Sequence, residues 1–484
     1  MLSIFIFIPL YTAVTIPLII SPNYRTVDED PKHSPAIVYG LIQSTLIRVG
    51  AIIYFLETNP CDIGLSVDEG LPHIGTIDYT SLLLVILSCF LIEPMLLTLS
   101  KTSAINQKIQ IILIFISTGL INAAFLATDY IVFYVAFEAV LMPLFIMVGQ
   151  YGGSPTKERS ALLLFLYTLS GSLFMLLGLV GLYTHTGTTD ILILQNITLD
   201  SEVQRYLFIC FGLALLVKTP IVPFHIWLPR AHADAPLAGS ILLAGTVLKL
   251  ATYAIYRLVL PLLPDACDYF APLVQTIAII SLIYSSLATI RAVDTKQAVA
   301  YSSVGHMAVV VLGLFSNSVT GITGAIVLSL AHGLISPALF ALVGGVLYNR
   351  YHTRAILYYR GIVTIMPLFS IVFFLAILAN MGVPLSINWV GEFLALAGVM
   401  EQSFLACALG ATGIVLSATY STWLWARIST GSLSAYIYKT EDITYTEIII
   451  VLPFIIVTLL LGIVPNILLS GLEVNAEALL YSMA

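Results

Sequence analysis

Six ionisable side chains lie where the sequence would otherwise run as unbroken lipid-soluble segments. Glu138 sits in FYVAFEAVLMPLFIMVG, Lys218 in FGLALLVKTPIVPF and Lys249 in GSILLAGTVLKLATYAIY; later come His306 in AYSSVGHMAVVVLG, His332 in LAHGLISPALF and Glu392 in NMGVPLSINWVGEFL. A charge at the centre of a spanning helix costs about 2.5–3.5 kcal/mol on insertion scales, so such groups pair, neutralise or face a hydrated interior. Burial draws carboxylates and ammoniums toward their neutral forms, and an opposite charge nearby draws them back. A group held between those two pulls can take up and release a proton. Histidine does so unaided between roughly pH 5 and 8. Proton transfer inside a membrane is the chemistry these residue types suggest.

Their surroundings sharpen the expectation. The neighbours of Glu138 one turn away are Tyr134 and Met142, so its partner must come from another helix. Lys249 has an apolar turn on each side and sits too deep to snorkel to the headgroups. After Lys218, Pro220, Pro223, Pro229 and Pro236 remove four amide donors, so the helix cannot continue regularly. Irregular backbone at membrane depth is tolerated only where protein or water surrounds it. His225 and His232 follow this break, and capping the loop or extending the relay are equal readings for them. No cysteine or compact third ligand accompanies them, and no metal site is expected.

The composition leaves room for little besides a multi-pass membrane protein. Of 484 residues 59% are hydrophobic and 9% charged, with a mean hydropathy of +1.01, against the roughly 25% charge of a soluble domain. The net charge of −7 and the scattered basic residues argue against a nucleic-acid partner. Cysteines 61, 89, 210, 267 and 407 have neither disulfide nor metal spacing and read as apolar filling. The first basic residue is Arg25, after an apolar run, which fits a permanent first helix rather than a signal or presequence.

Segments of about 20 apolar residues cross a bilayer core. Fourteen are read, at 1–21, 36–55, 79–99, 109–128, 130–149, 160–184, 205–222, 237–260, 269–289, 298–316, 318–347, 362–384, 403–426 and 447–470. The twelfth is expected to break at Gly382 and Pro384, with 385–399 as its second half, and the long eleventh has Gly333 and Pro337 as places to bend. The odd-numbered connections hold 14 of the 19 lysines and arginines, Lys296 among them, and the even ones only Arg205 and Arg257. That asymmetry predicts one orientation, with both chain ends on the opposite side. Arg48, inside the second span, pairs either within the chain or with a neighbour.

The segments form a single integral membrane domain, 1–484, with helices 1–3 at 1–99, a first repeat at about 109–260, a second at about 269–426 and helix 14 at about 447–470. VPFHIW at 222–227 and VPLSINW at 383–389 echo each other weakly. Breaks placed alike in helices 7 and 12 suggest two inverted five-helix repeats. The fold class is therefore an all-α polytopic membrane protein.

The runs KTPIVPFHIWLPRAHADAP, SILLAGTVLKLATY, DTKQAVAYSSVGHM, AHGLISPALF and NMGVPLSINWVGEFL resemble the antiporter-like membrane subunits of respiratory complex I. Glu392 is similar to the branch of that family with glutamate where other members carry lysine, and no long lateral extension follows the last span. The resemblance implies a proton channel with Glu138 and Lys218 as an ion pair, Lys249 as central relay, and His332 and Glu392 toward the exit; His306 joins the relay on its own residue chemistry. It implies no cofactor in this chain, with NADH, FMN, iron–sulfur clusters and ubiquinone held by partner subunits. Neighbouring antiporter-like subunits and lipid would surround it. It also implies the mitochondrial inner membrane, with basic connections in the matrix and both termini on the intermembrane-space side. The same resemblance allows a subunit of an Mrp-type cation/proton antiporter, and a purely structural scaffold is the reading from another class.

Overall fold

The computed structural model describes residues 4–19, 35–57, 66–67, 76–101 and 104–483. The predicted first-span residues outside 4–19, and Cys61, lie outside them. The described chain is helical apart from a two-residue antiparallel pairing of Ser66–Val67 with Thr76–Ile77. The helices are α1 Ile4–Ile19, α2 Pro35–Glu57, α3 Tyr79–Thr98, α4 Ala104–Phe125, α5 Tyr130–Tyr151, α6 Lys157–Thr186, α7 Ser201–Lys218 and α8 Leu237–Leu262. They continue as α9 Pro264–Arg291, α10 Thr295–Leu314, α11 Val319–Tyr351, α12 Pro367–Asn380, α13 Ile387–Gln402, α14 Phe404–Ser429, α15 Tyr445–Ile463 and α16 Asn466–Met483.

Eleven helices among the described residues are long and apolar enough to cross a membrane, and two shorter apolar ones lie at Ile4–Pro17 and Pro367–Asn380. The helix ending in Lys218 carries Glu202 and Arg205 besides. Its end falls where the four prolines require it, and the chain resumes as a short helix at Trp227–Asp234. The second expected break falls between α12 and α13, with Gly382 at φ +70° and Ser386 capping α13 through Trp389 N at 3.4 Å.

Three boundaries differ from the sequence reading. The last predicted span, 447–470, is two helices, because the chain leaves the helical region at Val464, the residue before Pro465, where proline disfavours that region. α11 does not break at Gly333 or Pro337; π-type turns run over Ala341–Leu347 instead. Pro337 cannot donate to the Gly333 carbonyl, and the ladder shifts register one turn downstream. α5 is interrupted at Val140, beside the Ala139 carbonyl that Pro143 leaves without its helical donor.

Ion pairs fasten helices at different depths. Arg48 pairs within the chain with Glu93 of α3, Arg257 with Asp78 at 2.9 Å, and Arg350 with Glu447 at 2.7 Å. The backbones of α11 and α13 approach closely. A Cβ at Gly391 would stand 2.6 Å from Leu328 N, one at Gly324 would collide with Ala395 N, and one at Gly398 with Gly321. In lipid, small residues let backbones approach closely where apolar side chains supply no driving force. This seam holds α13, and with it Glu392, against the helix bearing His332.

Replacing Gly391 by Leu should separate α11 from α13 and cut the amount of assembled protein at least severalfold, measured on native gels of solubilised membranes. Ile326→Val, outside the seam, is expected to leave that amount unchanged.

Candidate functional site

The first group lies where α5 and α7 meet. Lys218 is the last residue of its helix and only 2% exposed. Its Nζ donates to the Phe137 carbonyl at 2.8 Å and lies 3.1 Å from the centre of the Phe137 ring. A helix C-terminus and an aromatic face both favour a cation. Glu138 is within electrostatic range of Lys218 and lies near Ser172 of α6, while its Oε1 is buried without a partner. Among the described residues the expected ion pair is not closed to direct contact: the Phe137 carbonyl and ring hold the ammonium.

The second group is a nearly continuous file. Lys249 lies between two π-type segments, Leu243–Val247 and Ile255–Val259. Its Nζ bonds to the Ala244 carbonyl at 2.5 Å and to Nδ1 of His332 at 2.8 Å. The shifted register of a π segment changes which amide meets which carbonyl, and Nζ uses an acceptor there. Gly333 keeps this space open, since its Cβ would be 3.3 Å from Lys249 Cε and 2.6 Å from a methyl of Leu87. The His332 and His306 rings are 5.7 Å apart. His306 Nδ1 meets Glu392 Oε1 at 3.0 Å. Both rings keep a buried Nε2 without a partner.

Glu392 lies against the break in the twelfth predicted span. A Cβ at Gly382 would be 2.7 Å from Glu392 Oε2, so glycine there serves the positive φ and the carboxylate together. A cavity of about 10 Å³ adjoins His306, Glu392 and Tyr420, about what one water requires. One turn before Glu392, Asn388 is fully buried with both side-chain polar atoms unpartnered.

The two less certain histidines part company. His232 stacks on Phe340 at 4.5 Å, with both ring nitrogens buried and unpartnered. It lies within electrostatic range of Lys249 and Lys296. His225 packs against Tyr284 at 5.2 Å and Tyr301 at 6.3 Å, away from the file. Among the described residues no direct hydrogen bond joins Lys218 to Lys249.

Lys296, which the sequence reading counted only among the basic residues of the odd-numbered connections, is 5% exposed, and its Nζ donates to the Ala235 carbonyl at 3.1 Å. A cation in the first turn of a helix opposes the macrodipole, a signal of another purpose at that position. Nearby, burial pushes the Asp294 carboxyl up, and the Arg354 guanidinium pulls it back.

Helices long enough to cross a bilayer and a buried file of bases define a multi-pass, antiporter-like membrane subunit. Residues 127–417 match the membrane family described as NADH:quinone oxidoreductase/Mrp antiporter. NADH-ubiquinone oxidoreductase chain 4 of Mycosarcoma maydis is 52% identical over 412 residues, covering 85% of this chain and 84% of that one. A chain of respiratory complex I from Thermus thermophilus superimposes with a TM-score of 0.87 at 26% identity, covering 100% of both chains. A chain of the Mrp complex from Dietzia sp. shares the fold, with a TM-score of 0.85 at 20% identity and coverage of 99% and 97%. The chain belongs to the family of NADH-ubiquinone oxidoreductase chain 4, the antiporter-like membrane subunits of complex I.

Replacing His306 by Asn should shift the infrared carboxyl band of Glu392, assigned by its loss in Glu392→Gln. An unmoved band would show that the 3.0 Å contact does not govern that carboxyl.

Proposed function

We propose that this chain is a proton-translocating subunit of respiratory complex I, coupling NADH:ubiquinone electron transfer in other subunits to proton movement through its own interior. NADH, FMN, the iron–sulfur clusters and ubiquinone belong to those partners. The carrying observation is the file Lys249, His332, His306 and Glu392, with contacts of 2.8 and 3.0 Å at its ends and 5.7 Å between the imidazole centres. A proton given by Lys249 to Nδ1 of His332 can leave from Nε2 toward His306, whose Nδ1 passes a proton to Glu392. Each passage leaves the imidazole in its other tautomer, so the ring turns back before it takes the next proton.

The input lies at Glu138 and Lys218. A charge rearrangement arriving from a neighbouring antiporter-like subunit would move the Lys218 ammonium between the Phe137 carbonyl and the Glu138 carboxylate, changing its proton affinity. The change then reaches Lys249. The chain sits in the mitochondrial inner membrane with its basic connections in the matrix and its termini on the other side, as the distribution of lysine and arginine supports. Ten of the fourteen spans, in two inverted five-helix units, give the two helix breaks equivalent places.

Lys218→Ala in the intact complex should leave assembly unchanged and lower proton transport coupled to NADH oxidation at least tenfold, read as acidification by inverted membrane vesicles. Normal transport in that variant would overturn the proposal and favour a structural scaffold.

A further inference from the structure

A cavity lies at the end of the bundle carrying the basic connections. It measures about 330 Å³, and Tyr151, Ala235, Lys296, Gly344, Asn349 and Arg354 are among the residues that line it. These come from the odd-numbered connections and the helix ends beside them. At its inner limit Lys296 is buried and held by the Ala235 carbonyl. The lysine stem runs past Gly344, where any Cβ would collide with Lys296 Cε. Beyond it lies His232, fully buried, with neither ring nitrogen partnered. His232 is within electrostatic range of Lys296 on one side and Lys249 on the other.

We propose that this cavity is the vestibule through which protons are taken up, and that Lys296 is a relay residue passing them by way of His232 to Lys249. The proposal rests on the proton-pump reading above and adds its uptake side. The physical argument is one of access. Water fills a polar cavity of this size, so a proton can reach Lys296 from bulk solvent, whereas Lys249 is 0% exposed. An imidazole with two unpartnered nitrogens can accept on one and release from the other. Lys296 gives its proton to one nitrogen of His232, the other nitrogen gives one to Lys249, and Lys296 is reprotonated from the vestibule.

A charged frame holds the mouth in shape. Arg354 bonds to the Ala233 carbonyl and lies 3.9 Å from both Asp234 and Asp294. Asp234 accepts from Thr156 at 2.8 Å and Ser160 at 2.6 Å. Asp294 caps α10 through the Lys296 amide at 2.7 Å. These acidic groups and Arg354 surround Lys296 and leave His232 as its inward neighbour.

The test uses the whole complex in sealed, inverted vesicles. Lys296→Arg keeps a cation that can hold the Ala235 carbonyl, but a guanidinium does not release its proton. It should assemble and lower proton transport at least tenfold, and Lys296→His should restore a substantial part. Transport by Lys296→Arg equal to the unmodified complex, with Lys218→Ala inactive beside it, would overturn the vestibule and leave the pump reading standing. Normal transport in Lys218→Ala would overturn both. Should Lys296→Arg fail to assemble, Asn349→Cys decides. A membrane-impermeant, positively charged thiol reagent added on the basic-connection side should modify the introduced thiol and slow transport severalfold, relative to the same treatment without the new cysteine. Modification without slowing would overturn the proposal.

Discussion

An ammonium inside an apolar bundle has to find acceptors that the ordinary helix ladder does not offer. All three buried lysines solve this in the same way. Lys218 donates to Phe137 O in the last turn before the interruption at Val140. Lys249 donates to Ala244 O within a π segment, and Lys296 to Ala235 O just past the end of Trp227–Asp234. Helix irregularities thus lie wherever a lysine is taken out of water. Main-chain carbonyls hold the charged form without fixing it as a carboxylate would. A lysine so held remains able to give its proton away.

The loosened approach of Glu138 and Lys218 follows from the same constraint. A buried, fully formed ion pair is costly to break, because separating the partners leaves uncompensated charge. With the Phe137 carbonyl and ring holding the ammonium and Glu138 near enough to act on it, the ammonium can move between acceptors without standing alone. The input role proposed for these two residues requires a response to modest changes arriving from outside the chain. A locked pair would respond poorly.

Much of this was legible in the sequence because prolines and buried charges are rare in spanning segments and costly. Pro220 and Pro223 announced the end of the helix at Lys218, and Gly382 with Pro384 the break before Glu392. Glu138, Lys249, His306 and His332 declared themselves by polarity alone. The π segments gave no such notice, since LAGTV, IYRLV and ALVGGVL are ordinary apolar helix sequence, and their register depends on what packs around them. Lys296 drew no functional reading because it falls in a connection rather than inside a predicted span. Only the tertiary arrangement, with Gly344 clearing room for its stem, takes it inside. The surroundings of Glu138 were hidden for a similar reason, since Ser172 and Lys218, 34 and 80 positions away, come from other helices.

The glycine seam between α11 and α13 bears on how such a device could change state. At Gly321, Gly324, Gly391 and Gly398 the two backbones touch with no side chain between them, and neither rod can slide or roll past its partner without steric overlap. Whatever alternation distinguishes the loaded from the discharged condition must therefore be confined, on this side of the bundle, to rotation of imidazoles and carboxylates and to the comings and goings of water. Such machinery would work as a rigid casing around a soft wire rather than as a set of rocking levers.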